Sequence, residues 1–174
     1  MMQVGSTSIG IFMLKIQDIK TSNTSKYKFR QLSRDVSGEG FDIPEGNHAL
    51  FAYYNIHKIN LHIGGVTFSL ANLNQTYTES TFECDYFHQI TFMFVKRDYQ
   101  GKGYGTQLIN GVIEKMTAHA SHRPVRVQSA VKAVGFFEKM GFVKIGEPMD
   151  TLACGPHLFR TIVNMEKQLS VLPK

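Results

Sequence analysis

The chain has no tryptophan and only two cysteines and five prolines in 174 residues. Its cysteines, Cys84 and Cys154, stand far apart and match no metal spacing. They read as free thiols of a reducing compartment, which excludes a disulfide framework. No apolar run approaches the roughly 18 residues that a membrane-spanning helix needs. The opening stretch MMQVGSTSIGIFMLKIQ has no charged start and no cleavage site, so it reads as a first strand rather than a signal peptide. There is no run of one charge sign. The net charge of +5 suits an anionic ligand, but the basic residues are scattered, which argues against a nucleic-acid partner. No repeat and no low-complexity linker divides the chain. At 43% hydrophobic and 19% charged it reads as a soluble single domain, 1–174, of the cytoplasm or nucleus.

What is present is an alternation of strand and helix signals. Residues 9–19 read as a strand and 22–37 as a polar helix with a weak stripe of Tyr27, Leu32 and Val36. Residues 38–48, rich in glycine and acidic side chains, are turn chemistry. Strands follow at 49–56 and 63–71, then a long loop or frayed hairpin at 72–88. QITFMFV, 89–95, is almost wholly apolar, as in a central strand buried on both faces. Leu108, Val112 and Met116, joined by Ile109 and Ile113, mark a helix over 104–120. A strand at 124–129, a helix over 130–140 with Ala130, Ala133, Val134 and Phe137 on one side, a stop at Gly141 and two last strands complete a mixed α/β chain.

Between the apolar strand and the long helix lies QGKGYGTQL, with glycines at 101, 103 and 105. Each glycine adds unfolded-state entropy, so the backbone needs it for something. A strand, a glycine turn and a helix start make an anion site, because the first N–H groups of the helix are unpaired and its dipole favours negative charge. Lys96, Arg97 and Lys102 would add attraction. The phosphate-loop pattern G-x-x-x-x-G-K-S/T and the dinucleotide pattern G-x-G-x-x-G are both absent.

Gln100-x-x-Gly103-x-Gly105 fits the R/Q-x-x-G-x-G/A signature. AVGFFEKMGF at 133–142 fits a second one some thirty residues on, and GGVTF at 64–68 resembles the strand before the central one. In these motifs the chain resembles the GNAT superfamily of acetyl-CoA-dependent N-acetyltransferases, over roughly residues 63–146. KGYGTQL and AVGFFEKMGF look most like its histone-acetyltransferase branch. The resemblance implies a mixed, mostly antiparallel sheet of about six to seven strands with helices on both faces. It also implies transfer of an acetyl group from acetyl-CoA, the co-substrate, to a primary amine of a lysine or a small molecule.

By the same resemblance, the pyrophosphate lies on Gly101, Lys102, Gly103, Tyr104, Gly105 and Thr106 beside Gln100. The thioester carbonyl meets backbone N–H near Phe94 and Val95, and Ala133, Phe136 and Phe137 cover the pantetheine. The chain departs from the family in its proton-transfer residues. Gln89 stands where the histone-acetyltransferase branch has a glutamate base, Phe137 where many members have a tyrosine acid, and Ala130 where an asparagine is common. Deprotonating an alkyl ammonium near neutral pH costs about 4 kcal/mol, so three readings stay open. His88, Glu83 or Asp85 serves as base. Gln89 orients a water chain. Or the protein is a non-catalytic acyl-CoA-binding module acting through partners.

The plainer readings stand beside these. His88 next to a buried strand fits a structural histidine, and Glu83 and Asp85 fit solvated loop charges. His119-x-x-His122 and Cys154-x-x-His157 have partial metal spacing without further ligands, so no metal is expected. The acidic and aromatic loop 72–88 would suit a wall of the acceptor site or a plain surface excursion.

Overall fold

The computed structural model describes residues 14–56, 58–77, 85–151 and 160–170. The chain runs β1 (Leu14–Ile19), α1 (Asn23–Ser37), β2 (His48–Ile56), β3 (Ile59–Ser69), β4 (His88–Val95), α2 (Tyr104–Ala120) and β5 (Val125–Ala130). Then come α3 (Val134–Lys139), β6 (Val143–Lys144), β7 (Met149–Asp150) and β8 (Thr161–Lys167). Short 3-10 turns at Arg97–Tyr99 and Val131–Ala133 lead into α2 and α3. The latter turn shortens the helix expected over 130–140, and Ala130 closes β5 instead. Residues 9–13 of the expected first strand lie outside the described residues.

The strands form one eight-stranded sheet in the order β1-β2-β3-β4-β5-β8-β6, with β7 also on β8. Among the described pairs only β4–β5 is parallel, so the sheet is mixed and mostly antiparallel as expected. It holds one strand more than expected, the exposed two-residue β7; β6, equally short and exposed, falls in the first of the two last strands expected. Elements that short have no room for an alternating pattern.

Each face has its own core. Ile63, Val66, Phe68 and Ile90 of the sheet pack with Leu108, Ile109, Val112 and Met116 of α2 and with Val134 and Phe137 of α3. On the other face Phe29 and Leu32 of α1 meet Ile43, Ala49, Phe51 and Phe94. Of the stripe expected on the first helix, Leu32 and Val36 face this core, but Tyr27 is corrected. Tyr27 is 64% exposed, and the buried line is Ser25, Phe29, Leu32 and Ser33. Its two serines hid it from a hydropathy reading. Ser25 completes a capping box with Ser22, and Ser33 accepts the Phe41 N–H at 2.8 Å.

β4 carries the irregularity that matters most. Ile90 pairs with Phe68 and Phe92 with Thr67, which leaves Thr91 opposite nothing on β3. That is a β-bulge, and it reverses which side chains face which way. Ile90 lies in the α2 core. Beyond Thr91 the same face takes Met93 and Val95, while Phe92 and Phe94 turn to α1. Burial on both faces, expected along all of this strand, therefore fails at Thr91, which is exposed.

Two glycines let helices close on β3 from both sides. A Cβ on Gly64 would stand 3.1 Å from Leu108 Cδ1 and 3.1 Å from the Phe94 carbonyl; one on Gly65 would stand 3.1 Å from Leu32 Cδ2. Gly64→Val should cost about 1–3 kcal/mol through overpacking. Urea unfolding should show a lower midpoint at unchanged slope, and an unchanged midpoint would mean that the packing there is loose.

Candidate functional site

The parallel pairing of β4 and β5 extends over three residues only: His88 with Val125, Gln89 with Arg126 and Ile90 with Val127. From Thr91 onward no strand among the described residues pairs with β4 on that edge, which leaves an opening between the two strands. The N–H of Lys96 donates to the Ile63 carbonyl at 2.8 Å and that of Phe92 to Thr67 Oγ1 at 3.1 Å, both on β3. Backbone direction alternates along a strand, so Phe94 also points its N–H at β3. Met93 and Val95 present theirs to the opening. Of the two residues expected beside a thioester, Val95 is at the opening. Phe94 has its ring in the α1 core and its N–H on the far edge.

The glycine turn closes one end of this opening. Gln100 folds its amide back onto the Val95 carbonyl, Nε2 to O at 2.8 Å, and so braces the turn against β4. Gly101 and Gly103 have φ of 71° and 84°, a region that favours glycine. Gly103 is the N-cap of α2; no side chain caps that end and its first turn holds no acidic residue. Helical bonding starts with Gln107 N–H to Gly103 O at 3.1 Å, so the N–H groups of Tyr104, Gly105 and Thr106 have no acceptor within the helix. The arrangement can hold an anion of phosphate type. Lys102 sits 5.6 Å from the Tyr99 ring, whereas Lys96 reaches Asp35 on α1 at 3.4 Å.

Gly105 faces the aromatic helix α3 at ordinary contact distance. A Cβ there would lie 3.5 Å from the Phe136 ring and 3.8 Å from Met93 Cε. Phe136 thus lies against the helix start, and the half-buried Ala133 precedes its helix. Phe137 does not share that place. It is 4% exposed, with ring centres 5.2 Å from Phe136 and 5.3 Å from Phe142, and it belongs to the core.

Sequence reasoning missed Tyr54. Its ring forms a cluster with Tyr99 and Tyr104, centres about 6 Å apart, and its hydroxyl bonds that of Tyr104. That bond holds the Tyr54 phenol above its ordinary pKa. The cluster ties the start of α2 to β2. Nothing in ALFAYYNI signals such a role, because the three tyrosines meet only in the fold.

The base candidates separate clearly. His88 is fully buried. Its Nδ1 accepts the Ala71 N–H at 3.0 Å, and its Nε2 donates to the Ala120 carbonyl at 3.0 Å. Both ring nitrogens are engaged at the end of the strand away from the opening, so His88 is structural rather than a base for an acceptor. Asp85 lies before β4, also at that end. Glu83 lies outside the described residues, as do Cys84, Cys154 and His157. Gln89 is half-buried in the paired part of β4, one residue short of Ile90, where that pairing stops. Among the described residues no group of three or more His, Cys, Asp or Glu could hold a metal ion, and no helix is long and apolar enough to cross a membrane.

Residues 60–153, more than half of the chain, match the acetyltransferase (GNAT) domain family, and the chain belongs to that family. It is an acetyl-CoA-dependent acyltransferase, with acetyl-CoA as co-substrate. No curated protein matches the chain. Solved structures resemble it at low identity. The ribosomal-protein-S18-alanine N-acetyltransferase from Escherichia coli has TM-score 0.67 at 12% identity, covering 93% of this chain and 97% of that one. Arabidopsis thaliana Naa50, in complex with the bisubstrate analogue CoA-Ac-MVNAL, has TM-score 0.64 at 16% identity, covering 88% and 97%. A spermidine N-acetyltransferase SpeG chimera from Vibrio cholerae and hSSAT has TM-score 0.60 at 15% identity, covering 89% and 95%. These neighbours differ in acceptor, so the shared fold does not choose one.

Burial lowers the pKa of His88, and the adjacent His119, His122 and Arg123 act in the same direction. The unfolded chain therefore binds this proton more readily than the folded one. Stability is fully present above the unfolded value of about 6.5 and falls as pH drops through the lower folded value. Burial also lowers the pKa of His62, which gives the same sign. His88→Gln should flatten, without abolishing, the loss of urea midpoint between about pH 7 and pH 5. Identical slopes in both proteins would remove His88 as a source.

Proposed function

We propose that the chain transfers the acetyl group of acetyl-CoA to a primary amine by direct attack on the thioester, in the opening between β4 and β5. One observation carries the reading. The β4–β5 register stops after three pairs, which leaves the Met93 and Val95 N–H groups open beside an uncapped helix start. An extended pantetheine can take the place of the missing strand, with its pyrophosphate on the N–H groups of Tyr104, Gly105 and Thr106. The Met93 N–H then stabilises negative charge that develops on the carbonyl oxygen, and the Val95 N–H, about 7 Å further along the strand, pairs with the arm behind it. Gln100 keeps the turn in register with that strand, and Phe136 shields the arm from water.

In the step itself the amine nitrogen forms a bond to the carbonyl carbon and the C–S bond breaks. The proton lost from nitrogen ends on the departing thiolate or on solvent. Holding thioester and amine together supplies much of the rate without a base. The likeness of KGYGTQL and AVGFFEKMGF to the histone-acetyltransferase branch supports a protein or peptide acceptor. The second reading, an acyl-CoA-binding module without turnover, is favoured by Gln89 and Phe137 at the usual proton-transfer positions and by the engaged ring of His88.

Gly105→Glu separates binding from folding. Gly105 is not at positive φ, and its Cβ would meet only ordinary contacts. A carboxylate there also suits the helix dipole, so stability should hold or rise by up to about 1 kcal/mol. The same carboxylate occupies the anion site, and calorimetry should show acetyl-CoA affinity falling at least about 100-fold. Unchanged affinity in a folded variant would overturn the site. Free-thiol release from wild type on adding amines distinguishes the transferase from the binding module.

A further inference from the structure

Resting on the acyl-transfer reading, we infer that the acceptor is the α-amine of a peptide N-terminus, received at the mouth of the opening by Thr91 and Gln128. A thioester that extends along β4 lies in the plane of the sheet. Its carbonyl is then attacked from a sheet face, because a nucleophile approaches roughly perpendicular to the carbonyl plane. One face is closed by α2, Phe136 and Met93. The acceptor must come over the other.

On that face the mouth has two lips. Thr91, the bulged residue, is the first of β4 beyond the parallel pairing, and Gln128 is the first of β5. An asparagine fixes each. Thr91 Oγ1 donates to Asn47 Oδ1 at 2.7 Å, and Gln128 Nε2 donates to Asn164 Oδ1 at 3.3 Å. Both lips therefore keep oxygen lone pairs that can accept an N–H from an incoming amine. Neither can remove its proton. Behind Gln128, Arg126 closes on Glu166, Nε to Oε2 at 2.9 Å, with the two side chains 12% and 17% exposed. The ion pair gives this part of the face no net charge.

Such a mouth discriminates by amine basicity. An α-amine has a pKa of about 7.7–8.0 and a lysine about 10.4, so near pH 7.4 roughly a quarter of the first but only about one in a thousand of the second is neutral. Among the described residues the mouth offers a hydroxyl and an amide, which leave that difference intact, whereas a base would narrow it. A polyamine is disfavoured by its basicity, and Glu166 is already shared with Arg126.

Three acceptors test this: a lysine-free peptide with a free N-terminus, the same peptide N-acetylated with one lysine added, and spermidine. The free N-terminus should show kcat/KM at least about 100-fold above the other two near pH 7.4. Its profile should level off near about pH 8, while that of the lysine peptide climbs with unit slope beyond about pH 9. Lysine or spermidine within about tenfold of the α-amine, or a flat lysine profile, would overturn the inference. Gln128→Met should raise KM for the free peptide about tenfold, with acetyl-CoA affinity unchanged. Asn164→Leu, which releases Gln128 and also loses the Asn164 Nδ2 contact to Met149 Sδ, should raise it less. Unchanged KM in both would remove Gln128 from the mouth. Acetyl-CoA bound, with thiol released by another amine but by none of these three, would sink this inference alone; no release from any amine, or no binding at all, would sink the acyl-transfer reading with it.

Discussion

A strand hydrogen-bonded along both edges has no backbone left for a ligand, and a strand free along one edge invites aggregation. β4 avoids both at Thr91. Up to that residue it is held on both sides, by Ser69 and Phe68 on β3 and by Arg126 and Val127 on β5. Beyond it, one edge is still fastened to β3 and the other is released. The extra residue also swaps the faces, sending Phe92 and Phe94 to α1 and Met93 and Val95 to α2. Anchoring side chains on both faces is what holds the released edge straight enough to present its N–H groups in line.

The rest of the site is arranged around that edge. Gly101 and Gly103 turn the chain at positive φ so that α2 starts beside the end of β4. Gln100 locks the turn to Val95, and the Tyr54–Tyr104 contact locks the helix start to β2. Gly64 and Gly65 let α2 and α1 approach β3 closely from opposite sides. Local sequence choices, packing and site geometry thus point the same way, as expected of a chain that specifies one structure.

Much of this was legible in the sequence, for definite reasons. The stripe Leu108, Val112, Met116 gave α2 because its spacing is helical and uninterrupted. The glycines gave the turn because few other residues tolerate such φ values. The bulge was not legible, since Thr91 inside QITFMFV looks like any β-branched strand residue and only the register with β3 exposes it. His88 was open to two readings because its partners, Ala71 and Ala120, lie far off in the chain and act through backbone atoms, which carry no sequence signal. Phe136 and Phe137 are adjacent and alike, so only burial tells the half-buried ring of the pair from the core one.

The three-residue parallel seam has a consequence for how the molecule moves. It joins a four-stranded antiparallel block, β1 to β4, to a second block of β5, β8 and the short edge strands. Backbone bonds across the seam are few, and much of the cohesion between blocks comes from side chains of α2 and α3 in the shared core. Such a joint opens more readily than either block unfolds. A ligand lying as a strand along the released edge would splice the blocks together and raise the free energy of that opening. Amide exchange in β5 and β8 would then slow on binding even at residues that the ligand never touches. The co-substrate would serve as a removable piece of the sheet as well as the donor of the acetyl group.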